Sequence, residues 1–365
     1  MPYGTVNADL MTTSDGVSSS GLYGFKNRII NGAMVIDQRN AGASVTPTSS
    51  SYTLDRWQAT IAASSKISVQ QSSTAPTGFK NSLLVTSLAA TSVGSTDFYL
   101  IQQKVEGYNM ADLGWGATGA ATVTLSFWVR SSLTGTFGGS LGNNAFDYTY
   151  PFSYTISSAN TWEQKTITIT GATSGTWLST NGVGIQVTFG LGSGATYSGT
   201  AGAWAATGYQ TATGATQVVG TNGATFYITG VQLEKGSTAT SFDYRPYGTE
   251  YDLCRRYCEV WADPSYTTFL TVMAPNPSNT YQLAGVMPIY PKRAQPSVTL
   301  SGASTFTNMW QGGSSTPSAV AFGVYSNKSV YPYITSSTNQ GGYSTLLELN
   351  AGAVTSNYVI VSAEL

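Results

Sequence analysis

Short runs of alternating apolar and polar residues, separated by clusters of Gly, Ser, Asn and Thr, fill residues 27–248. In the clearest run, 123–130, the odd-numbered residues are Val, Leu, Phe and Val, and the even-numbered ones are Thr, Ser, Trp and Arg. Successive side chains of a strand point to opposite faces, so this run predicts a strand with one core face and one solvated face. Many such strands with turn signals between them indicate a β-sandwich or barrel.

The apolar phase slips once, between residues 226 and 234. Phe226 and Ile228 have one parity, whereas Val231 and Leu233 have the other. A β-bulge at residues 229–230 would return all four side chains to a single buried face.

The chain divides by composition into four parts. Residues 1–26 are small and polar without a sustained period, which predicts an extended attachment arm. Residues 27–248 form the predicted sandwich. Within them, 192–225 is a long stretch of small residues, and loops of that length are usually functional or form an interface.

Apolar residues at helical spacing predict a short helical connector over residues 249–262. They are Tyr251, Cys254, Tyr257, Cys258 and Trp261. Turn residues return after this segment, with strands expected at 297–301 and 358–361. Residues 263–365 are therefore predicted to be a second, smaller β domain.

The charge of the chain is low and balanced. Only 9% of residues are charged, against about 25% in ordinary soluble domains. With 16 basic and 17 acidic residues, the composition gives no reason to expect a nucleic-acid partner. Such a surface favours self-association. No apolar run approaches a membrane span, and residues 1–10 lack the features of a signal peptide, so we expect no membrane insertion and release by lysis of a host.

The sequence contains no histidine, which removes the usual nucleophile–base pairs and His-ligated metals. The acidic residues of the sandwich are scattered singly, whereas a glycosidase needs a pair of carboxylates. No carboxylate-rich calcium motif occurs. We therefore predict no catalytic residue, no metal site and no cofactor. Cys254 and Cys258 are expected to be buried thiols, since nothing else in the chain could build a disulfide framework.

Five blocks of sequence resemble tail-fibre and carbohydrate-binding-module-like virion proteins of tailed phages. The blocks are 26–40 (KNRIINGAMVIDQRN), 55–59 (DRWQA), 123–132 (VTLSFWVRSS), 150–169 and 226–250 (FYITGVQLEKGSTATSFDYRPYGTE). The resemblance implies a jelly-roll β-sandwich that follows an attachment arm, assembly as a homotrimer, and contact with other virion proteins through the arm. It thereby implies a place on the surface of a virion.

Glycan binding needs aromatic faces together with polar groups that hydrogen-bond hydroxyls. Trp128 lies on the polar face of its strand, and Tyr197, Trp204 and Tyr209 are the large side chains of the long small-residue stretch. These four residues are the candidate glycan contacts. The alternative is that their rings pack in the core or on a neighbouring protomer, because aromatic residues are enriched at interfaces.

Three functional hypotheses follow. The first is a tail-fibre or receptor-binding subunit that binds a polysaccharide of the host surface. The second is a capsid decoration, cement or head-fibre protein that stabilises the particle through protein contacts. The third, a glycan-degrading tailspike enzyme, lacks support from paired acids or histidine.

Overall fold

The structure is a computed structural model that describes residues 25–262, 268–273, 282–283, 286–310, 313–335, 345–352 and 357–365. The predicted attachment arm lies outside the described residues except for its last two. Internal contacts divide the chain into two compact units. Unit 1 comprises the residues up to Val35 together with Thr46–Ser51 and Trp57–Glu250, and unit 2 comprises Ile36–Val45, Tyr52–Arg56 and Tyr251–Leu365.

Unit 1 is built from short strands and contains no α-helix before residue 247 among its described residues. Strand β1 (Ser51–Leu54) begins at Ser51, the last residue of the Thr46–Ser51 segment of unit 1, and its other residues belong to unit 2. The remaining strands, in chain order, are β2 (Trp57–Ile61), β3 (Ile67–Ser72), β4 (Ser82–Ser87), β5 (Phe98–Glu106), β6 (Val123–Ser131), β7 (Gly135–Gly142), β8 (Thr149–Ile156), β9 (Glu163–Ile169), β10 (Val183–Ser193), β11 (Ser198–Gly199), β12 (Thr211–Ala212) and β13 (Thr225–Lys235).

These strands form two antiparallel sheets. Sheet A has the order β2-β5-β10-β7-β8 and sheet B the order β3-β4-β13-β6-β9. The chain crosses repeatedly between the sheets, for example from β4 to β5 and from β9 to β10. The fold is therefore the predicted all-β jelly-roll sandwich. Strands β11 and β12 form a small parallel pair within the long small-residue stretch.

Aromatic side chains from both sheets meet in the core of unit 1. Phe127 of β6 contacts Tyr154 of β8 and Phe189 of β10, with ring centroids 5.0 and 5.1 Å apart. Phe137 of β7 stacks on Phe226 of β13 at 6.2 Å. All four odd-numbered residues of the 123–130 run are fully buried, as the alternation predicts. Burying each of these side chains contributes about 1.5–3 kcal/mol.

The opposite face of β6 is less solvated than the alternation predicts. Thr124 and Ser126 are buried, because the chain after β13 returns across this face of sheet B. Thr124 donates a hydrogen bond to the carbonyl of Gly236 (2.8 Å), and buried Glu234 accepts one from the backbone N–H of Thr240 (2.9 Å). The expectation of a solvated face was wrong at this end of the strand. Alternating polar residues occur both on a solvated face and on a face covered by another segment, so the alternation does not distinguish the two.

The bulge predicted at residues 229–230 is confirmed. The register of β13 against β6 shifts between Thr229 and Gln232, and Gly230 has a φ of +60°. All four apolar side chains that flank the slip, Phe226, Ile228, Val231 and Leu233, are fully buried. An extra residue in one strand reverses the parity of the residues beyond it, so a single face remains buried.

Unit 2 contains helix α1, which begins in the last residues of unit 1, and several small sheets. Its elements are α1 (Tyr247–Arg255), β14 (Cys258–Trp261), β15 (Thr268–Met273), β16 (Gln282–Leu283), β17 (Met287–Pro288), β18 (Ser297–Leu300), β19 (Phe306–Trp310), β20 (Gly313–Ser315), β21 (Ala319–Ser326), β22 (Ser329–Thr335), β23 (Thr345–Leu349) and β24 (Val359–Ser362). The sheet orders are β14-β24-β18, β15-β23-β19-β20 and β16-β22-β17, with β21 also paired to β22. Strands β18 and β24 match the strands predicted at 297–301 and 358–361 to within one residue at each end.

Buried charges join three distant parts of the chain within unit 2. The Arg56 guanidinium forms an ion pair with Glu364 and lies 3.6 Å from the ring centroid of Tyr257. Arg39 donates a second hydrogen bond to the Glu364 carboxylate (3.0 Å). Removing one partner of a buried ion pair costs about 3–5 kcal/mol because the other charge is left uncompensated, so a neutral substitution at Glu364 should destabilise unit 2.

The predicted helical connector, 249–262, is helical only in its first half. Helix α1 ends at Arg255, and Cys258–Trp261 forms β14, which pairs with β24. Cys254 and Cys258 form no disulfide and are fully buried, as the sequence predicts. Within the described residues, no helix is long and apolar enough to cross a bilayer.

Candidate functional site

Four loops meet at one end of the unit 1 sandwich. Glu106 at the end of β5 is paired with Val183 at the start of β10, and Ile169 at the end of β9 is paired with Val123 at the start of β6. The connections 107–122 and 170–182 therefore emerge side by side. The β7–β8 loop, 143–148, opens at the same end, and residue 205 of the long stretch pairs with the first residue of β8.

Each of these four loops contributes one large aromatic residue to a shared group of rings. We call Trp115, Tyr148, Trp177 and Trp204 the loop-end cluster. The three tryptophans contact one another edge to face, with centroids 4.7, 5.4 and 5.5 Å apart. Tyr148 stacks on Trp204 at 5.5 Å with an angle of 8° between the planes. Tyr150 of β8 supports the same indole from its edge at 5.3 Å.

Backbone carbonyls hold the three indoles in place. Trp115, Trp177 and Trp204 donate their Nε1–H groups to the carbonyls of Ala121, Ser174 and Thr170, at 2.7, 2.9 and 2.8 Å. Every indole N–H is thus satisfied within the loops. The ring faces and edges are the parts of the cluster that remain available to a ligand.

A close approach between loops requires glycine at position 175. Gly175 has a φ of +87°, and a Cβ there would lie 3.0 Å from the ring of Tyr148. Larger residues would be strained by the left-handed backbone and would push the ring from Trp204. This glycine therefore sets the fit of loop 170–182 against the cluster.

One ring of the cluster is buried and the other three are partly exposed. Trp115 is 7% exposed, whereas Tyr148, Trp177 and Trp204 are half-buried. None of these side chains is charged at neutral pH, and burial raises the pKa of the supporting Tyr150 above its ordinary value. A rigid, uncharged aromatic surface of this kind can stack against the apolar face of a sugar ring.

The structure does not gather the four predicted glycan contacts at one place. Only Trp204 belongs to the loop-end cluster. Tyr197 packs edge to face on Phe98 at 5.0 Å, and the ring of Tyr209 lies over Gly199, where an added Cβ would be 2.2 Å from it.

Trp128, the fourth predicted contact, lies in the other sheet, on the half-buried part of β6 beside the bulge at Gly230. It has no ring contact with the loop-end cluster among the described residues.

Sequence reasoning missed Trp115, Tyr148 and Trp177. Each is a large aromatic residue in a turn-rich segment between two strands, which is the signal that singled out Trp204. Their convergence depends on strand order, which a single loop does not encode. Among the described residues, no group of three or more acidic or cysteine side chains is placed to hold a metal ion.

Comparison with known proteins identifies no family. No family model and no curated protein matches the chain. Similar solved structures include the enzymatically active domain of tailspike protein 4 from bacteriophage CBA120 (11% identity, TM-score 0.33). The similar region covers 58% of this chain and 22% of that chain.

Two further similar structures are TmCBM61 in complex with β-1,4-galactotriose (10% identity, TM-score 0.30) and a putative sugar-binding protein from Bacteroides thetaiotaomicron (12% identity, TM-score 0.34). Each is matched over 57% of this chain and over 99% and 100% of its own length, respectively. These identities and TM-scores are too low to assign the chain to a family or to transfer a ligand.

Proposed function

We propose that this protein is a structural subunit of a tailed-phage particle that binds a glycan of the host surface without cleaving it. The observation that carries the binding proposal is the loop-end cluster, in which four separate loops each place one aromatic ring at the same end of the sandwich. Loops on a rigid scaffold are where binding surfaces are usually found.

The chemistry of the cluster suits a neutral polysaccharide. Sugar rings present C–H groups on one face, and these pack on aromatic rings, while their hydroxyls need polar partners at the rim. Exposed Asn144 and Thr176 belong to two of the loops that carry the cluster. Hydrolysis of a glycoside would need two carboxylates about 5–9.5 Å apart, and the rings themselves supply none.

The proposed place on a virion is supported by composition and by the sequence resemblance. A chain with 9% charged residues and no histidine suits an assembled surface protein more than a typical enzyme. We further propose a homotrimer that contacts other virion proteins through residues 1–26, as a tail fibre or receptor-binding subunit. Light scattering should then give a mass three times the 38.3 kDa of one chain.

A glycan array of host-envelope polysaccharides tests the binding proposal. Trp177 contacts two rings of the cluster, whereas Trp204 contacts three and also Tyr150, so Trp177→Ala removes ring surface with the smaller disturbance. We expect wild type to bind and Trp177→Ala to bind about tenfold more weakly, a loss of about 1.4 kcal/mol.

The matched control is Trp162→Ala. Trp162 is also half-buried, precedes β9 at the opposite end of the sandwich, and contacts one ring, that of Tyr227 at 6.0 Å. This variant should bind like wild type. Equal losses in both variants, or no binding by wild type, would contradict a glycan site at the loop ends.

Location and cleavage are tested separately. A reconstruction of the particle that shows this chain on capsomers would replace the fibre proposal with the decoration alternative. Incubation with a bound polysaccharide should release no new reducing ends, and their appearance would overturn the proposal of binding without cleavage.

A further inference from the structure

Unit 1 contains a cavity close to the bulge of β13. At this bulge the segment that pairs with one edge of β13 changes. Strand β4 pairs with β13 only at Thr225–Ile228. Beyond the bulge, residues 28–32 pair with β13 in place of β4. Arg28 donates its backbone N–H to the Leu233 carbonyl (2.9 Å), and Val231 donates its backbone N–H to the Gly32 carbonyl (3.0 Å). Residues on both sides of this change line the cavity: Gly32 and Ala33 on one side, and Gly78–Lys80, which precede β4, on the other.

The cavity has a volume of about 220 Å³ and an aromatic wall. Phe79, Phe242 and Tyr244 form this wall, with centroids 4.8 to 5.4 Å apart. Tyr244 is 58% exposed at the rim, while Ala33 lies half-buried in the lining. A cavity of about 150 Å³ accepts benzene, so this one has room for a six-membered ring with small substituents.

Charged groups line the rest of the cavity and balance one another. Arg245 donates to the Glu250 carboxylate (Nη1 to Oε2, 3.1 Å), and both side chains are at least nine-tenths buried. Asp243 and Lys80 also line the cavity, so the lining carries two positive and two negative groups. The net charge of the lining is therefore zero, which favours an uncharged ligand.

One buried donor of the lining has no acceptor. The Nε–H of Arg245 makes no hydrogen bond, and the Asp243 Oδ2 atom lies 3.9 Å from it. The Nε atom itself has almost no accessible surface, so the polar groups of this part of the lining that a ligand can reach are the carboxylates, each about one-tenth exposed. The carboxylates of Asp243 and Glu250 can in turn accept from hydroxyl groups.

We propose that this cavity, the bulge pocket, binds a single neutral monosaccharide unit. A pyranose ring supplies C–H groups for the aromatic wall and hydroxyls for the two carboxylates. The pocket is formed by residues other than the loop-end cluster, so it is a second site that does not depend on the first.

Saturation-transfer NMR with a panel of free neutral monosaccharides, including glucose, galactose, mannose, rhamnose and N-acetylglucosamine, tests the proposal. At least one sugar should bind wild type with a Kd on the order of 1 mM, as expected for so small a ligand. Ala33→Phe, which fills the pocket, should reduce the signal at least tenfold. Ala63→Phe makes the same change at an exposed turn between β2 and β3 and should leave the signal unchanged.

A second variant keeps the test decisive if Ala33→Phe misfolds. Tyr244→Ala removes an exposed part of the wall and should also abolish binding while the melting temperature stays near that of wild type. Trp177→Ala should retain monosaccharide binding, which separates this site from the loop-end cluster. Absence of binding to every neutral sugar, binding that persists in both pocket variants, or preference for glucuronate or glucosamine would overturn the proposal.

Discussion

At the scale of single residues, Gly230 decides how sheet B is built. Its φ of +60° lies in the left-handed region, and a Cβ there would be 2.6 Å from the Phe79 ring and 3.1 Å from the Trp128 ring. The same residue therefore permits the bulge, the parity change of β13 and the close approach of an aromatic ring to the backbone. Sequence parity predicts the bulge because four apolar residues reveal it, but it does not predict the pocket beside it.

Gly230→Ala should destabilise unit 1 by about 3 kcal/mol, from about 1–2 kcal/mol of left-handed strain and a similar cost of overpacking. Gly223→Ala is the matched control, since Gly223 has a φ of +76° but an added Cβ would have no neighbour within 4 Å. That variant should lose only the strain energy. Urea unfolding of both proteins measures the difference, and equal losses would show that the contact with Phe79 is unimportant.

Asp37 should make unit 2 more stable in mild acid. Burial, with the nearby Asp55 carboxylate in a smaller role, raises the pKa of Asp37 to about 6, despite hydrogen bonds from the backbone N–H groups of Gly42 and Asn40. Because the folded-state pKa exceeds the ordinary value of 3.8, the folded protein binds the proton more tightly. The Asp37 contribution therefore falls as pH rises from about 4 to about 6.5, by about 2–3 kcal/mol in total.

Comparing wild type with Asp37→Asn isolates this effect from the other carboxylates. The difference in free energy of unfolding between the two proteins should change between pH 4.5 and pH 7, with wild type losing relative stability as the pH rises. Parallel pH profiles for the two proteins would contradict the assignment.

At the scale of elements, local patterns predict strands better than they predict where a helix ends. The alternation in 123–130 holds because both neighbours of β6 are strands and one face meets the core. The helical spacing from Tyr251 to Trp261 fails after Arg255 because β14 pairs with β24, which lies about a hundred residues away in the chain. The candidate site shows the same limit, since Trp204 stands out in its loop but its three partners converge only through strand order.

The junction of α1 and β14 should protect both thiols. Cys254 and Cys258 are fully buried, and burial raises the pKa of the Cys258 thiol above its ordinary value. Neither should react with a thiol-specific reagent in native buffer, whereas both should react in denaturant. Absorbance from Ellman's reagent counts the thiols, and rapid native labelling of either one would contradict this packing.

At the scale of the whole molecule, the two units are not consecutive in the chain. The segments Ile36–Val45 and Tyr52–Arg56 belong to unit 2 although they lie between parts of unit 1. Composition predicts a linear order of domains, because it reports where turn-forming and charged residues cluster along the chain. It carries no information on which distant residues pair. The ion pair of Arg56 with Glu364 joins residues 308 positions apart, and no local pattern signals it.

Truncation after residue 250 should therefore give a damaged fragment in place of an isolated sandwich. It would retain Ile36, Leu54 and Arg56, all almost fully buried in the intact chain, without the rest of unit 2. We expect the fragment to be less soluble and to melt lower than the full chain, as measured by light scattering and circular dichroism. A fragment that is as soluble and melts as high as the full chain would contradict this expectation.

The placement of Ile36–Val45 and Tyr52–Arg56 also fixes a sequence of events at the ribosome. These segments are synthesised long before Glu364, to which Arg39 and Arg56 bind. At about 5–20 residues per second, roughly 15–60 s separate their synthesis. Unit 2 can complete its fold only after Glu364 has been made, so the early segments lack this partner, and are open to chaperones or to neighbouring nascent chains, throughout that interval.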